Sequence, residues 1–185
     1  MFSVSLITNE ARTALIIFFL ILGLILALYI AIVITSFAFM RQFKKDIKRR
    51  KDFINLLIFQ KNDLLYKLSI ILEKYLSKED SLSEYINDED LHLYKKLDAQ
   101  EFEDFYMFTE KMLQNAQKIY INNNLEADKS KVDEIFLTIA ELNDKYFQTV
   151  QLYNTSVVGY NYWYNLFSTK WIKKILFIKT IETIK

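Results

Sequence analysis

The chain has 185 residues and a formal net charge of +1, with no Cys, no Pro and 2 Gly. The missing cysteines exclude disulfides and thiolate metal sites and suit a reducing compartment. Sheets and tight turns draw on Gly, Pro and Asn-Gly pairs, so a chain this poor in them and rich in Leu, Ile, Lys and Glu reads as all-α.

After a short N-terminus, residues 1–12, the segment Thr13 to Met40 carries no charged side chain. As a helix it spans about 40 Å, against roughly 30 Å of hydrocarbon in a bilayer. The next residues, Arg41 to Lys51, are mostly basic. Lys and Arg beside a span stay on the cytoplasmic side, and the other flank offers only Glu10, Arg12 and the α-amino group in competition. The expectation is a single-pass transmembrane helix over 13–40, with the N-terminus outside and residues 41–185 in the cytoplasm. A cleaved signal peptide would place its basic residues before a shorter apolar stretch. A buried soluble helix fails too, because Ile16 to Ile30 has no polar face and the chain is too small to surround it.

No stop signal follows Met40. Phe43, Ile47, Ile54, Leu57, Leu64, Leu68, Ile71 and Tyr75 recur at helical spacing, so the anchor is expected to run unbroken into a first cytoplasmic helix ending near Leu76. Residues 77–98 are acidic and polar, and Ser81 with Glu84 fits a capping box. A second long helix spans about 99–120, with Phe102, Phe105, Phe108 or Tyr106, Met112, Ala116 and Ile119 inward, and ends at Asn122 to Asn124. A third starts near Asp128. Val132, Ile135, Phe136, Ile139, Leu142, Tyr146, Val150, Tyr153 and Val157 mark one face of it, and Gly159 fits a C-terminal cap. A fourth amphipathic segment covers about 160–184, with a break near Ser168 and Thr169. Four such helices joined by polar links predict an antiparallel four-helix bundle of long helices.

Two stretches resemble the LemA family of bacterial membrane-anchored proteins. Ile47 to Leu57 is similar to that family's L-K-R-R-x-D-L-I-P-N-L pattern, matching at Lys48, Arg49, Arg50 and Asp52. Tyr146 to Asn154 is similar to its Y-N-x-x-V-x-x-Y-N pattern, matching at Tyr146, Tyr153 and Asn154. Val157 and Tyr160 fall where the family has an aliphatic residue and the aromatic of a Phe-Pro pair. The chain departs from the pattern at Asn55, where the family has Pro, at Leu56, at Phe147 and at Asn161, and residues 78–125 carry no family motif. The resemblance implies a single-pass anchor in the bacterial cytoplasmic membrane, a bundle of long helices and no known enzymatic activity. In an up-down bundle the two motifs would stand some 30 Å apart at about 1.5 Å per residue, and would form no common site.

The catalytic inventory is thin. His92 is the single histidine, no Cys-His or Ser-His-Asp set can be assembled, and no Gly-rich loop is present to cradle a phosphate. Glu101, Glu103, Asp104 and Glu110 share a helix, but the Glu-x-x-His motifs of carboxylate-bridged metal sites are missing. The acidic stretch from Glu79 to Asp90 lacks EF-hand spacing. No cofactor or metal is expected. Arg41, Lys44 and Lys45 stand beside the span, where anionic lipid head groups are a better match than nucleic acid. Both Trp residues lie in the aromatic C-terminal segment, for which a bundle helix is favoured over one lying on the bilayer.

These readings converge on a non-enzymatic, membrane-anchored scaffold or docking protein with a protein partner or homo-oligomer. The alternative is a signal input or transduction bundle that works with a separate output protein.

Overall fold

A computed structural model describes residues 9–75, 97, 99–123, 128–166 and 179–184. Among them are three α-helices: α1 (Asn9–Leu72), α2 (Ala99–Asn122) and α3 (Lys129–Asn165), with a single 3-10 turn, Glu73–Tyr75, closing α1. With 64 residues, α1 is about 96 Å long at 1.5 Å per residue. It is continuous, as its uninterrupted periodicity predicts. The expected capping box at Ser81 and Glu84 lies outside the described residues.

The chain divides into two units. The first holds α1 up to Gln42 and the chain from Gly159 to Thr180. Here α1 is open from Leu15 to Ile34, and sixteen large apolar side chains keep between 43% and 68% of their surface exposed. This segment is long and apolar enough to cross a membrane. Burial begins abruptly after it, at Ser36 and Met40. The Ser36 hydroxyl donates to the Ile32 carbonyl at 2.8 Å, which satisfies it within the helix. Phe39 stacks on Trp163, with centroids 4.7 Å apart and planes at 11°, and Tyr160 donates to the Lys179 carbonyl at 3.1 Å.

The second unit holds α1 from Phe43, α2, α3 up to Val158, and the chain from Ile181. Its core joins Leu65, Leu68 and Leu72 of α1 to Met112, Leu113 and Ala116 of α2 and to Val132 and Ile139 of α3. Cross-helix contacts fix the directions. Lys51 lies over the Phe102 ring and Lys61 pairs with Glu110, so α1 and α2 run parallel. Tyr106 stacks on Tyr146 and Asn143 bonds Glu110, so α3 runs antiparallel to both.

This corrects the expected antiparallel four-helix bundle. The 23 residues between Tyr75 and Ala99 are no tight link, and give the chain reach to return to the start of α1's cytoplasmic stripe before α2 begins. The expected fourth helix is absent from the described residues, since 161–165 belong to α3 and 179–184 are not helical. Gly159 is no cap either. A helical glycine costs roughly 1 kcal/mol, which the buried Val157 and Tyr160 on either side outweigh.

The expected faces of α2 and α3 agree with the burial of Phe102, Met112, Ala116, Val132, Ile139, Leu142, Tyr146, Val150, Tyr153 and Val157. On α1 the buried stripe is wider than expected and adds Asn55, Ile58, Lys61, Asn62, Leu65, Ser69 and Leu72. A helix with two neighbours must cover two faces.

Candidate functional site: a buried polar centre and a clamp on the chain end

The stripe of α1 carries one cation into the core. Lys61 is 2% exposed, and the Leu57, Ile58 and Leu65 side chains around its turn remove water. An ammonium there needs an anion and further donors or acceptors to offset its desolvation. Glu110 of α2 supplies the anion and pairs with the Lys61 Nζ. The same carboxylate oxygen accepts from Asn143 Nδ2 of α3 at 3.1 Å, and Glu110 also takes a hydrogen bond from the Tyr106 hydroxyl. The Lys61 ammonium stands 4.1 Å from the centroid of the Tyr106 ring, a cation–π geometry. That ring stacks on Tyr146, centroids 4.3 Å apart and planes at 4°, and meets Phe147 edge-on. All three helices therefore meet at one charge pair.

Electrostatics follow from that enclosure. Burial lowers the Lys61 amine below its ordinary range, against the opposing pull of Glu110. Burial would raise the Glu110 carboxyl, but the Lys61 contact outweighs it and the net direction is down. Burial, the neighbouring Glu110 charge and its hydrogen bond hold the Tyr106 hydroxyl far above a free phenol. Tyr146 is pushed up to about 12, first by burial and then by the Glu103 charge. Both phenols thus stay neutral beside the Lys61–Glu110 pair.

A second arrangement lies two turns further along α3. The Asn154 side chain donates from Nδ2 to the Ile184 carbonyl at 2.6 Å and accepts from the Ile184 amide at Oδ1, 2.9 Å. One amide side chain therefore pairs with both backbone groups of one residue, as a strand neighbour would. Tyr153 adds a bond from its hydroxyl to the Glu182 carbonyl at 3.3 Å. Ile184 itself is 3% exposed, so the polar clamp seats an apolar anchor.

The expected site residues are distributed between these arrangements and the surface. Tyr146 belongs to the polar centre, and Tyr153 and Asn154 form the clamp. Lys48 and Asp52 are exposed, and Arg49 is exposed with an ion pair to Asp46 at 3.1 Å. Arg50 is half-buried, and its Nε has no hydrogen-bond partner among the described residues. Arg41, Lys44 and Lys45 are all exposed, where a charged surface would find them.

The expected separation of the two motifs does not hold. Phe102 lies one turn before Tyr106, so Val150 is level with Phe102 and hence with Lys51. One turn beyond Val150, Tyr153 and Asn154 reach the level of Ile47 and Lys48, the start of the first motif. The parallel course of α2 causes this, because it leaves α3 to run back along α1 from the far end. The motifs share a level, while each bonds to other groups.

Periodicity alone does not assemble Lys61, Glu110, Tyr106 and Asn143 into one centre. Their signal is a Lys inside an apolar stripe with a Glu inside another. Asn55, one of the departures from the LemA pattern, is buried, and its Oδ1 accepts the Leu97 amide at 3.2 Å. A proline at that position has no side-chain acceptor to offer Leu97.

Among the described residues no group of three or more His, Cys, Asp or Glu is placed to hold a metal ion. A cleft lined by Phe59, Asn62, Asp63 and Tyr66 has about 30 Å³, room for water and far below the roughly 300–1,000 Å³ of ligand sites. No protein-family model, curated protein or solved structure matches this chain.

Proposed function

We propose that this protein is a LemA-like, membrane-anchored helical scaffold or docking protein without catalytic activity. It sits in the bacterial cytoplasmic membrane with its N-terminus outside and its helical bundle in the cytoplasm. One observation carries the reading: the open apolar band of α1. Sixteen large apolar side chains stand exposed there. At about 1 kcal/mol of unrealised burial each, their cost in water would exceed the roughly 5–15 kcal/mol that stabilises a whole domain. Hydrocarbon removes that cost. Exposed Arg41, Lys44, Lys45, Lys48 and Arg49 follow the band, which supports the orientation and contact with anionic head groups.

The docking role has its support in what the bundle contains. Lys61, Glu110 and Asn143 bond one another across the three helices, and the motif residues Tyr153 and Asn154 bond the backbone of Glu182 and Ile184. A relay of signals to a separate output protein is the second reading, favoured by the unbroken course of α1 from band to bundle.

The native chain lacks cysteine, so single-cysteine variants test the topology cleanly. Lys67→Cys is expected to resist an impermeant thiol reagent on intact cells and to react after lysis, whereas Ser5→Cys reacts on intact cells. Labelling of Lys67→Cys from outside, or a full-length product soluble without detergent, refutes the anchor. A strictly monomeric protein that co-purifies with nothing from detergent refutes the scaffold.

A further inference from the structure

The exposed band and the aromatic end of α3 belong to the same unit, and their contact yields a depth. Leu15 to Ile34 is a run of twenty residues, all exposed but the half-buried Val33. It covers about 30 Å at 1.5 Å per residue, which equals the hydrocarbon thickness of a bilayer. Full burial within the unit starts at Ser36, so the hydrocarbon edge falls near Ile34. Phe39 is one turn and a fraction further, about 7 Å along the axis. Each head-group layer is roughly 5–8 Å thick. Phe39 therefore stands inside that layer, and so does the Trp163 ring stacked on it at 4.7 Å.

The neighbours of Trp163 fit the same depth. Tyr162 is 62% exposed and meets Trp163 edge-on at 5.6 Å. Tyr164 follows, its ring 6.4 Å from that of Tyr160. Rings that are apolar in body and polar at one tip concentrate at the boundary between head groups and hydrocarbon, where both halves are satisfied. Arg41, two residues past Phe39, is exposed and adds a cation where anionic head groups are within reach.

We infer that the end of α3 is a second membrane contact: Tyr162 and Trp163 insert into the head-group layer of the leaflet that the basic block faces. The occupant of this surface is lipid. The inference rests on the anchor reading and extends it, because α3 then returns the chain to the bilayer at a point separate in sequence from the span. It also runs against the sequence-based preference for a bundle helix over one lying on the bilayer in the segment after Gly159.

Tryptophan quenching by depth tests this on the full-length chain, reconstituted in phosphatidylcholine–phosphatidylglycerol vesicles. Trp171→Phe leaves Trp163 as the single reporter, and Trp171→Tyr serves if the first variant misfolds. A nitroxide high on the acyl chain is expected to quench Trp163 about twofold more strongly than one near the chain terminus, given its position past the hydrocarbon edge. Leu24→Trp, in a background of Trp163→Phe and Trp171→Phe, reports from mid-band and should show the opposite order. If the Leu24 variant is quenched and Trp163 is not, the second contact is refuted and the anchor stands. If neither is quenched, the anchor reading falls and takes this inference with it. In the unaltered chain, Trp163→Phe must remove shallow quenching; shallow quenching that survives undiminished also overturns the assignment.

Discussion

Removing the Glu110 carboxylate leaves the buried Lys61 ammonium without its anion. In Glu110→Ala, Lys61 remains 2% exposed and keeps the Tyr106 ring as its nearest compensation. Breaking a buried pair by deleting one partner costs about 3–5 kcal/mol. Two features place this case within that range. The Glu110 side chain is 26% exposed, so water can enter the vacated space and pull the cost toward the lower end. The amine can also shed its proton: an ordinary lysine titrates near 10.4, so neutralising it at pH 7 costs at most about 5 kcal/mol, which caps the loss. Chemical denaturation of the full chain in detergent, followed by circular dichroism, should therefore show a loss of about 3–4 kcal/mol. The dependence on pH gives a sharper signature. In the variant the folded-state pKa of Lys61 lies below its unfolded value. The unfolded state then binds more protons between the two, and stability recovers as pH rises from neutrality toward 10. Glu110 in the unaltered protein works in the other window. Its lowered pKa contributes stability present above its unfolded value and lost as pH falls through the folded one. A loss under about 1 kcal/mol, or one that does not shrink with rising pH, would refute the enclosure of Lys61.

Tyr106 separates ring from hydroxyl: Tyr106→Phe keeps the stack on Tyr146 and should cost about 1 kcal/mol, whereas Tyr106→Leu also loses the stack and the cation–π contact, for about 3 kcal/mol in total. Equal losses in the two variants would remove the ring from the account. Asn154→Ala deletes two hydrogen bonds to Ile184, worth about 1–3 kcal/mol together, and is expected to speed tryptic cleavage at the exposed Lys179 while leaving helix content unchanged. Spectrophotometric titration should find Tyr146 silent until about pH 12 in the folded protein and ordinary, near 10, once unfolded. Folding then favours the neutral phenol, so this contribution is complete below pH 10 and is lost as pH rises through 12.

Much of the architecture is legible in the residues because it depends on local periodicity. The uncharged run before Arg41, the unbroken stripe from Phe43 to Tyr75 and the face from Val132 to Val157 each follow from a repeat of 3.6 residues. The direction of α2 is a different kind of property. It depends on where residues 76–98 deliver the chain, and nothing in the stripe from Phe102 to Ile119 says which end faces Lys51. The expected motif spacing fails for the same reason. The polar centre is obscured differently: Lys61 and Glu110 each look like surface residues until the helix around them is known to have two neighbours. Gly159 misleads through its own chemistry, since a residue that commonly ends helices here lies within one.

The parallel pairing of α1 with α2 has a consequence for biosynthesis. Leu72 leaves the ribosome well before its partners Met112 and Ile139, which at about 5–20 residues per second is a delay of some 3–13 s for the later one. Throughout that interval the stripe of α1 stands uncovered, with Lys61 among its apolar side chains. A charge within an apolar face costs any wrong partner its desolvation, and that cost falls once Glu110 is made and pairs with Lys61.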